Sequence, residues 1–292
     1  MLKVPSLSLS ALCLRLVVVA FCVGLFACDD SEETGETISL NCAGEVDTGS
    51  TTTISISGYV KDGKTGSKLS GAVNLYNSTG TVLLDNSSVS SSKYSFSGLT
   101  PSTYVLKSVI TNYTSVADSK CLTSSSTSKD LIALTTSQAT NANVIVLTWG
   151  DSSPTSADID AYIQSYGGSP DSGTAKIYYN KKGSSSAWAM LDLDDRSYSG
   201  PETITINLDS SSGPMRNSIT KACYYVHLYS SGSFSNSKAQ VQIFQSNGTV
   251  LTNFDGPTDT STSNRYWHVF DLDSNLNITT KNTTDNVTPT CS

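Results

Sequence analysis

The chain of 292 residues is acidic and sparsely charged. It carries 18 Lys and Arg residues against 25 Asp and Glu residues, a formal net charge of −7, and only 15% of its residues are charged. An acidic chain without a basic cluster repels nucleic-acid phosphates, which excludes nucleic-acid-binding functions. Helical periodicity is nearly absent, and short β-branched and aromatic runs alternate with Gly, Ser, Asn and Asp, which predicts an all-β fold.

The first 27 residues are typical of an export signal. A basic start precedes the apolar run "LVVVAFCVGLF" at 16–26, which is short for a membrane span of about 20 residues. The run ends in Leu25-Phe26-Ala27-Cys28, which resembles a bacterial lipobox. The resemblance implies a signal peptide at 1–27, lipidation of Cys28 and anchoring to the inner or outer membrane of the cell envelope. The alternatives are a plain secreted protein and an uncleaved anchor.

Low-complexity segments divide the rest of the chain. The polar stretch 28–52 predicts a flexible tether, and "TTSQATNA" at 135–142 separates two β-rich blocks. The first block covers 53–137 and the second covers 143–280. Residues 281–292 form an Asn- and Thr-rich tail. The pattern predicts two tandem β-sandwich domains after the lipoprotein signal peptide.

Four cysteines remain in the exported chain besides the lipidated Cys28. An exported chain with four cysteines is expected to form two disulfide bonds, and three pairings are possible. We favour Cys42 with Cys121 and Cys223 with Cys291, because each bond would then staple one predicted domain. Free buried thiols are the alternative.

The first block begins with an alternating strand in which Ile54, Ile56 and Val60 share a buried face. Further along this block come Gly58-Tyr59-Val60, Leu69-Ser70-Gly71-Ala72-Val73, Tyr94-x-Phe96-x-Gly98-Leu99, Tyr104-x-Leu106 and Tyr113. This order of residues resembles the carboxypeptidase-regulatory-like, prealbumin-type β-sandwich. That family consists of non-catalytic modules that act as spacers, folding partners or adhesive units, so the resemblance implies a rigid spacer.

The second block contains about eight alternating segments, which suits a sandwich or jelly roll. Because side chains in a strand alternate between faces, "DIDAYI" places Asp158 and Asp160 on one face, opposite the apolar residues Ile159, Ala161 and Ile163. "NVIVLTW" similarly places Ile145, Leu147 and Trp149 on one face. By the same rule, "MLDLDD" directs Leu191 and Leu193 one way and Asp192 and Asp194 the other.

Two carboxylates at adjacent positions on one face repel each other unless a cation or hydrogen bonds compensate them. If the two strand ends lie side by side, Asp158, Asp160, Asp192 and Asp194 form an oxygen-rich cup that suits Ca²⁺. Asp195 adds a further carboxylate, and Gly200 and Pro201 would bend the chain so that Glu202, or nearby backbone carbonyls, could complete the shell. The sequence therefore predicts a calcium site. The alternative is that these acids are solvated loop charges that bind no ion.

The acidic residues also carry a second resemblance. The residues that carry it are, in chain order, Trp149-Gly150, Asp158-Ile159-Asp160, Leu191-Asp192-x-Asp194-Asp195, Gly200-Pro201-Glu202, Tyr225-Val226-His227 and Trp267-x-Val269-Phe270. Their order is similar to that in an uncharacterised family of bacterial secreted β-sandwich domains, whose molecular activity is not established. The resemblance implies the sandwich fold and an acidic site without naming a partner.

Other candidate sites have less support in the sequence. His227 and His268 lie among aromatic residues in predicted strands, and are interpreted as interior or edge side chains. No nucleophile elbow, His-Glu-x-x-His motif or phosphate-binding glycine loop occurs. We therefore expect a non-catalytic envelope lipoprotein, a binding or structural module whose partner is an envelope protein or a surface glycan. The alternative is a carbohydrate-active enzyme or glycan-binding protein that uses the aspartates.

Overall fold

The computed structural model describes thirteen segments of the chain: residues 39–40, 46–47, 53–90, 93–114, 117–123, 126–136, 142–150, 157–166, 175–185, 187–196, 200–207, 219–245 and 250–291. The predicted signal peptide, the lipidation site Cys28 and Cys42 lie outside these residues. Within them, no helix has the length and apolar character needed to cross a membrane.

The described part of the first block folds into a β-sandwich. One layer is the antiparallel sheet β6-β5-β8-β9, and the other contains the sheet β10-β3-β7 and the pair β11-β4. The pairs β10 with β3 and β11 with β4 are parallel, and the others are antiparallel. The strands are β3 (Ile54–Gly58), β4 (Val60–Asp62), β5 (Gly71–Tyr76), β6 (Leu83–Val89), β7 (Tyr94–Leu99), β8 (Ser102–Val109), β9 (Ala117–Leu122), β10 (Ser126–Ser128) and β11 (Leu131–Ala133).

Alternation along these strands builds the core of the first sandwich. Ile54, Ile56 and Val60 are fully buried, as the sequence predicts, and they pack against apolar side chains from the opposite layer. Burying a large apolar side chain contributes about 1.5–3 kcal/mol, so this core supplies most of the folding free energy of the first sandwich. Its larger members also include Val73, Leu75, Tyr94, Phe96, Tyr104 and Leu106.

The second block forms a sandwich of two five-stranded sheets, with the orders β15-β16-β12-β18-β19 and β14-β13-β17-β20-β21. All pairings within the two sheets are antiparallel. The elements are β12 (Ala142–Thr148), β13 (Ile159–Tyr166), β14 (Lys176–Ile177), β15 (Ala189–Leu193), β16 (Glu202–Asn207), β17 (Lys221–Leu228), α1 (Phe234–Ser237), β18 (Gln240–Phe244), β19 (Val250–Asp255), β20 (Tyr266–Asp273) and β21 (Ile278–Asp285).

The predicted inward faces of β12 and β13 are confirmed. The prediction that Leu193 faces the same way as Leu191 is wrong, because a β-bulge between them leaves only Leu191 in the core. The apolar faces of the two strands β12 and β13 meet in one core, which also contains Trp188 and Trp267. The chain is therefore all-β, with two β-sandwiches in tandem. The core residues named in the sequence are Ile145, Leu147, Trp149, Ile159, Ala161 and Ile163.

Strands also occupy parts of the predicted tether and tail. Within 28–52, the short strands β1 (Ser39–Leu40) and β2 (Val46–Asp47) pair antiparallel. Within 281–292, β21 continues to Asp285 along β20. Polar composition did not prevent pairing here, because a strand at a sheet edge can direct both of its faces to solvent.

The two sandwiches pack against each other. The described residues from Ser39 onward belong to one compact unit. Its internal interface has a small apolar cluster in which Ile132 and Leu134 of the first sandwich contact Val144, Val146 and Phe244 of the second. Those residues of β12 lie on the face opposite the main core, so this strand contributes to both the core of the second sandwich and the interface.

Polar contacts fix the same interface beside one segment of the second sandwich. The Lys61 ammonium donates a hydrogen bond to the Gly200 carbonyl over 3.1 Å. The Thr203 hydroxyl donates to the Gly63 carbonyl. Residues 200–203 are therefore held from outside by the first sandwich.

A disulfide bond joins Cys223 in β17 to Cys291, with their Cα atoms 5.5 Å apart. This is one of the two pairings favoured from the sequence, and it ties the predicted tail to the second sandwich. Cys121 is also disulfide-bonded. Its expected partner, Cys42, lies outside the described residues, so the first pairing stays a prediction.

Candidate functional site

Three acidic side chains meet where the two sheets of the second sandwich approach each other. Asp160 lies at the beginning of β13, Glu202 begins β16, and Asp194 directly follows β15. One carboxylate oxygen from each residue lies within 4.8 Å of the others. We call these three residues the acidic cluster.

A tight local conformation places Glu202 in the cluster. Gly200 has φ +63°, which favours glycine, and a Cβ atom at this position would lie 2.8 Å from the Trp149 ring. The following peptide bond, Gly200–Pro201, is cis. This explains why the motif needs glycine and ends in an inward-facing acid.

Glu202 is fully buried, with 0% of its surface exposed. Its Oε2 atom accepts a hydrogen bond of 2.6 Å from the backbone N–H of Ala161, on the edge of β13. Its Oε1 atom is buried and has no hydrogen-bond partner among the described residues. A buried carboxylate oxygen without a partner is costly, because desolvation is uncompensated.

The pKa values near the cluster respond to burial and to crowding of negative charge. Burial, the largest cause, raises the pKa of Glu202 well above its usual value, the Ala161 N–H lowers it, and Asp160, Asp194 and Asp158 raise it further. Burial also raises the pKa of Asp158, with additional contributions from Asp160, Asp194 and Asp195. The fold therefore holds more negative charge here than its own donors stabilise.

The nearby cationic side chains compensate the cluster only in part. The Lys182 ammonium lies 3.0 Å from Asp194 Oδ2, and the Arg196 guanidinium lies 3.7 Å from the same oxygen. Both cationic side chains are largely exposed, so water screens them. His227 Nδ1 lies 3.5 Å from Asp160 Oδ2. This distance allows an ion pair, but the two atoms do not form a hydrogen bond.

Asp192 does not belong to the acidic cluster, although strict alternation placed it beside Asp194. A β-bulge lies between Leu191 and Leu193 in the pairing of β15 with β16, and the extra residue reverses the alternation. Asp192 accepts a hydrogen bond from the Thr205 hydroxyl and lies 3.6 Å from the Lys64 ammonium of the first sandwich. It is an interface residue.

The other two predicted ligands lie near the cluster and outside it. Asp158 lines a pocket beside the acidic cluster. Its backbone carbonyl accepts hydrogen bonds from the N–H groups of Tyr229 and Ser230. Asp195 is half-buried and acts on Asp158 through its charge. Of the six predicted acids, the structure brings Asp160, Asp194 and Glu202 together.

Aromatic residues that were not predicted from the sequence lie beside the cluster. A pocket of about 270 Å³ is lined by Asp158, Asp160, Tyr179, Asp194, Arg196 and Tyr229. Tyr179 and Tyr229 are 37% and 61% exposed, with ring centroids 6.5 Å apart. A signal was present, because Tyr225, His227 and Tyr229 recur at every second position. Tyr225 and His227 lie on the face of β17 opposite the main core, and Tyr229 directly follows the strand.

The second histidine lies in a separate polar group. His268 Nε2 lies 2.7 Å from Asp271 Oδ1, and the Lys281 ammonium lies 3.0 Å from Asp271 Oδ2. Cys223 is close to both, but its sulfur belongs to the disulfide bond. A disulfide sulfur is not a thiolate, so this group lacks a usable sulfur ligand for a metal.

No protein-family model matches the chain, and no curated protein matches it. Among solved structures, it is similar to a homologue of the telluride resistance protein TerD from Streptomyces coelicolor, with 14% identity and a TM-score of 0.34 over 50% of this chain and 89% of the other. It is also similar to BcpA, the major pilin subunit of Bacillus cereus, with 9% identity and a TM-score of 0.25 over 70% and 67%.

A third similar structure is a DUF3823 family protein from Bacteroides ovatus, with 11% identity and a TM-score of 0.23 over 70% of this chain and 96% of the other. These identities and TM-scores are too low to carry an argument about function. The function must be argued from the site itself.

Proposed function

We propose that the protein is a non-catalytic binding or structural module of the bacterial cell envelope, and that the acidic cluster of its second sandwich holds a calcium ion. The observation that carries the proposal is Glu202. It is fully buried, it leaves Oε1 without a partner among the described residues, and its carboxylate lies within 4.8 Å of those of Asp160 and Asp194.

The chemistry of the cluster favours a hard cation. Ca²⁺ takes six to eight oxygen ligands at about 2.3–2.6 Å, so two oxygens on opposite sides of the ion lie about 5 Å apart. The spacing within 4.8 Å fits such a shell. The three clustered side chains offer oxygen alone, and oxygen ligands suit calcium better than zinc or copper.

The ion would stabilise the fold as well as the cluster. Asp160, Asp194 and Glu202 belong to three different strands or strand ends of two sheets. A cation shared by these carboxylates would replace mutual repulsion with attraction across the edge of the sandwich. Binding to the native state alone stabilises that state by mass action.

The rest of the proposal comes from the sequence. The lipobox-like segment supports export and a lipid anchor at Cys28. The carboxypeptidase-regulatory-like resemblance supports a spacer role for a first domain at 53–137. The resemblance to an uncharacterised bacterial family supports a recognition role for a second domain at 143–280. The partner would be an envelope protein or a surface glycan.

The enzyme alternative has less support from the geometry. A glycosidase needs two carboxyl groups that reach the substrate on either side of the bond it cleaves. Glu202 is fully buried and holds a backbone N–H on the edge of β13, so its carboxylate cannot contact a substrate. A ligand to a buried ion fits this position better than a catalytic acid.

Calcium titration of the chelator-treated protein tests the proposal. We expect thermal stability to rise with calcium, by about 2.7 kcal/mol when free calcium exceeds the dissociation constant a hundredfold. Asp194→Asn should remove most of this gain, because it removes a ligand charge. Asp192→Asn is the matched control, since that aspartate lies outside the cluster, and it should keep the gain.

Two results would contradict the calcium site. The first is an unchanged melting temperature after chelation and after saturating calcium. The second is an equal loss of the calcium response in Asp192→Asn and Asp194→Asn, which would assign the response to general acidity.

A further inference from the structure

The acidic cluster opens to one side, into the pocket beside it. Asp160 and Asp194 belong to both the cluster and the pocket wall, whereas Glu202 closes the buried end. Three carboxylates leave part of a six- to eight-oxygen calcium shell unfilled. The open positions face the pocket, where water or the hydroxyl groups of a ligand could supply the remaining oxygens.

Two exposed tyrosines, Tyr179 and Tyr229, line this opening, and the backbone around Tyr229 is held by hydrogen bonds. The backbone N–H of Tyr229 donates 2.9 Å to the carbonyl of Asp158. The Arg265 guanidinium donates to the carbonyls of residues 228–230 and anchors the same turn from the other side. The ring of Tyr179 packs edge-on against Tyr162 and Tyr178. Rigid aromatic side chains at the surface bind ligands at low entropic cost.

The composition of the pocket indicates its ligand class. With calcium bound, four positive charges, two on the ion and one each on Arg196 and Lys182, offset four of the five nearby carboxylates. A nearly balanced pocket favours a neutral ligand over an anion or a cation. Tyrosine faces pack against apolar C–H surface, whereas the carboxylates and the guanidinium bind hydroxyl groups.

We propose that this pocket binds a neutral sugar residue of a glycan, with two adjacent hydroxyl groups completing the calcium shell and the C–H face of the ring packing on Tyr229. The inference rests on the calcium site proposed above. It deepens that site by assigning the ligand class. The volume of about 270 Å³ suits a small ligand, since small-molecule pockets begin at about 300 Å³. One sugar ring is therefore bound, and the rest of the glycan extends into solvent.

The test is a binding screen of the purified protein on immobilised glycans in millimolar calcium. The screen includes neutral hexose, deoxyhexose and N-acetylhexosamine termini. Sialylated and sulfated glycans form an anionic arm, and a lysine-rich peptide forms a cationic arm. We expect binding to at least one neutral glycan, loss of the signal in EDTA and recovery when calcium is restored.

Tyr229→Ala separates the sugar from the ion. We expect it to weaken glycan binding by about tenfold or more, because the stacking surface is lost. The calcium affinity of the Tyr229→Ala variant, measured by calorimetry with calcium alone, should equal that of the wild type. Tyr166→Ala is the matched control, because Tyr166 is 52% exposed and lies at the other end of β13. It should change neither measurement.

The outcomes distinguish the two proposals. If calcium binds and no neutral glycan does, or if glycan binding survives EDTA or Tyr229→Ala, the sugar site is overturned and the calcium site stands. Binding of the lysine-rich peptide in millimolar calcium, with no neutral glycan bound, would also overturn it, in favour of an organic cation. If the protein binds no calcium, the proposed function itself fails.

Discussion

Glu202→Gln is expected to change stability in opposite directions with and without calcium. Without calcium, the substitution should stabilise the protein by about 1–3 kcal/mol, because it removes a buried charge whose oxygen lacks a partner. The glutamine carbonyl can still accept the Ala161 N–H, and its amide can donate towards Asp160 or Asp194. With saturating calcium, the variant should be less stable than the wild type, because a ligand charge is lost. Chemical unfolding of both proteins in EDTA and in calcium measures the crossover.

The pH dependence of the calcium-free protein provides a second readout of the same carboxylate. The pKa of Glu202 is raised in the folded state. The contribution of Glu202 to stability is therefore fully present below its pKa in the unfolded state, about 4.5. This contribution is lost as pH rises through the higher pKa of the folded state. Asp158 and Asp192 act in the same direction, since their pKa values are also raised by burial. Glu202→Gln should flatten this loss, and a variant with the wild-type profile would contradict the account.

Lys129→Met is expected to destabilise the protein by about 3–5 kcal/mol, because it breaks a buried ion pair and leaves one charge uncompensated. Lys129 is 7% exposed, and its ammonium lies 2.8 Å from Asp118, which is 3% exposed. The same ammonium donates to Gln240 of the second sandwich, so the substitution also removes a contact between the sandwiches. Unfolding in urea measures the loss.

Two variants make this result specific to the buried pair. Lys181→Met removes a charge from an exposed side chain and should change stability by less than about 0.5 kcal/mol. The double variant Lys129→Met with Asp118→Leu removes both charges and should recover much of the loss. Equal destabilisation by the single and double variants would show that packing, and not the unpaired carboxylate, carries the effect.

The strand pattern of the second sandwich could be predicted where pairing has no bulge, as along β13. Ile159, Ala161 and Ile163 all face the core, as a period of two requires. Asp192 broke the prediction, since nothing in "MLDLDD" indicates the bulge that turns it towards Lys64. A bulge depends on pairing with a neighbouring strand, and pairing is not a local property of the sequence.

The acidic cluster was predictable in composition and only partly in geometry. Gly200 and Pro201 indicated that Glu202 would turn inward, and the contact of Gly200 with Trp149 explains that turn. The tyrosines at the opening were not predicted, because Tyr179 and Tyr229 come from segments 50 residues apart. Only the packed sheets bring them within one pocket.

The most direct test of the account is a crystal structure of the protein grown in calcium, with anomalous diffraction to locate the ion. We predict an anomalous peak at about 2.3–2.6 Å from oxygens of Asp160, Asp194 and Glu202, with Asp192 bonded to Thr205 away from the ion. A calcium-soaked crystal in which the Glu202 and Asp160 carboxylates lie within hydrogen-bond distance of each other, with no ion between them, would contradict it.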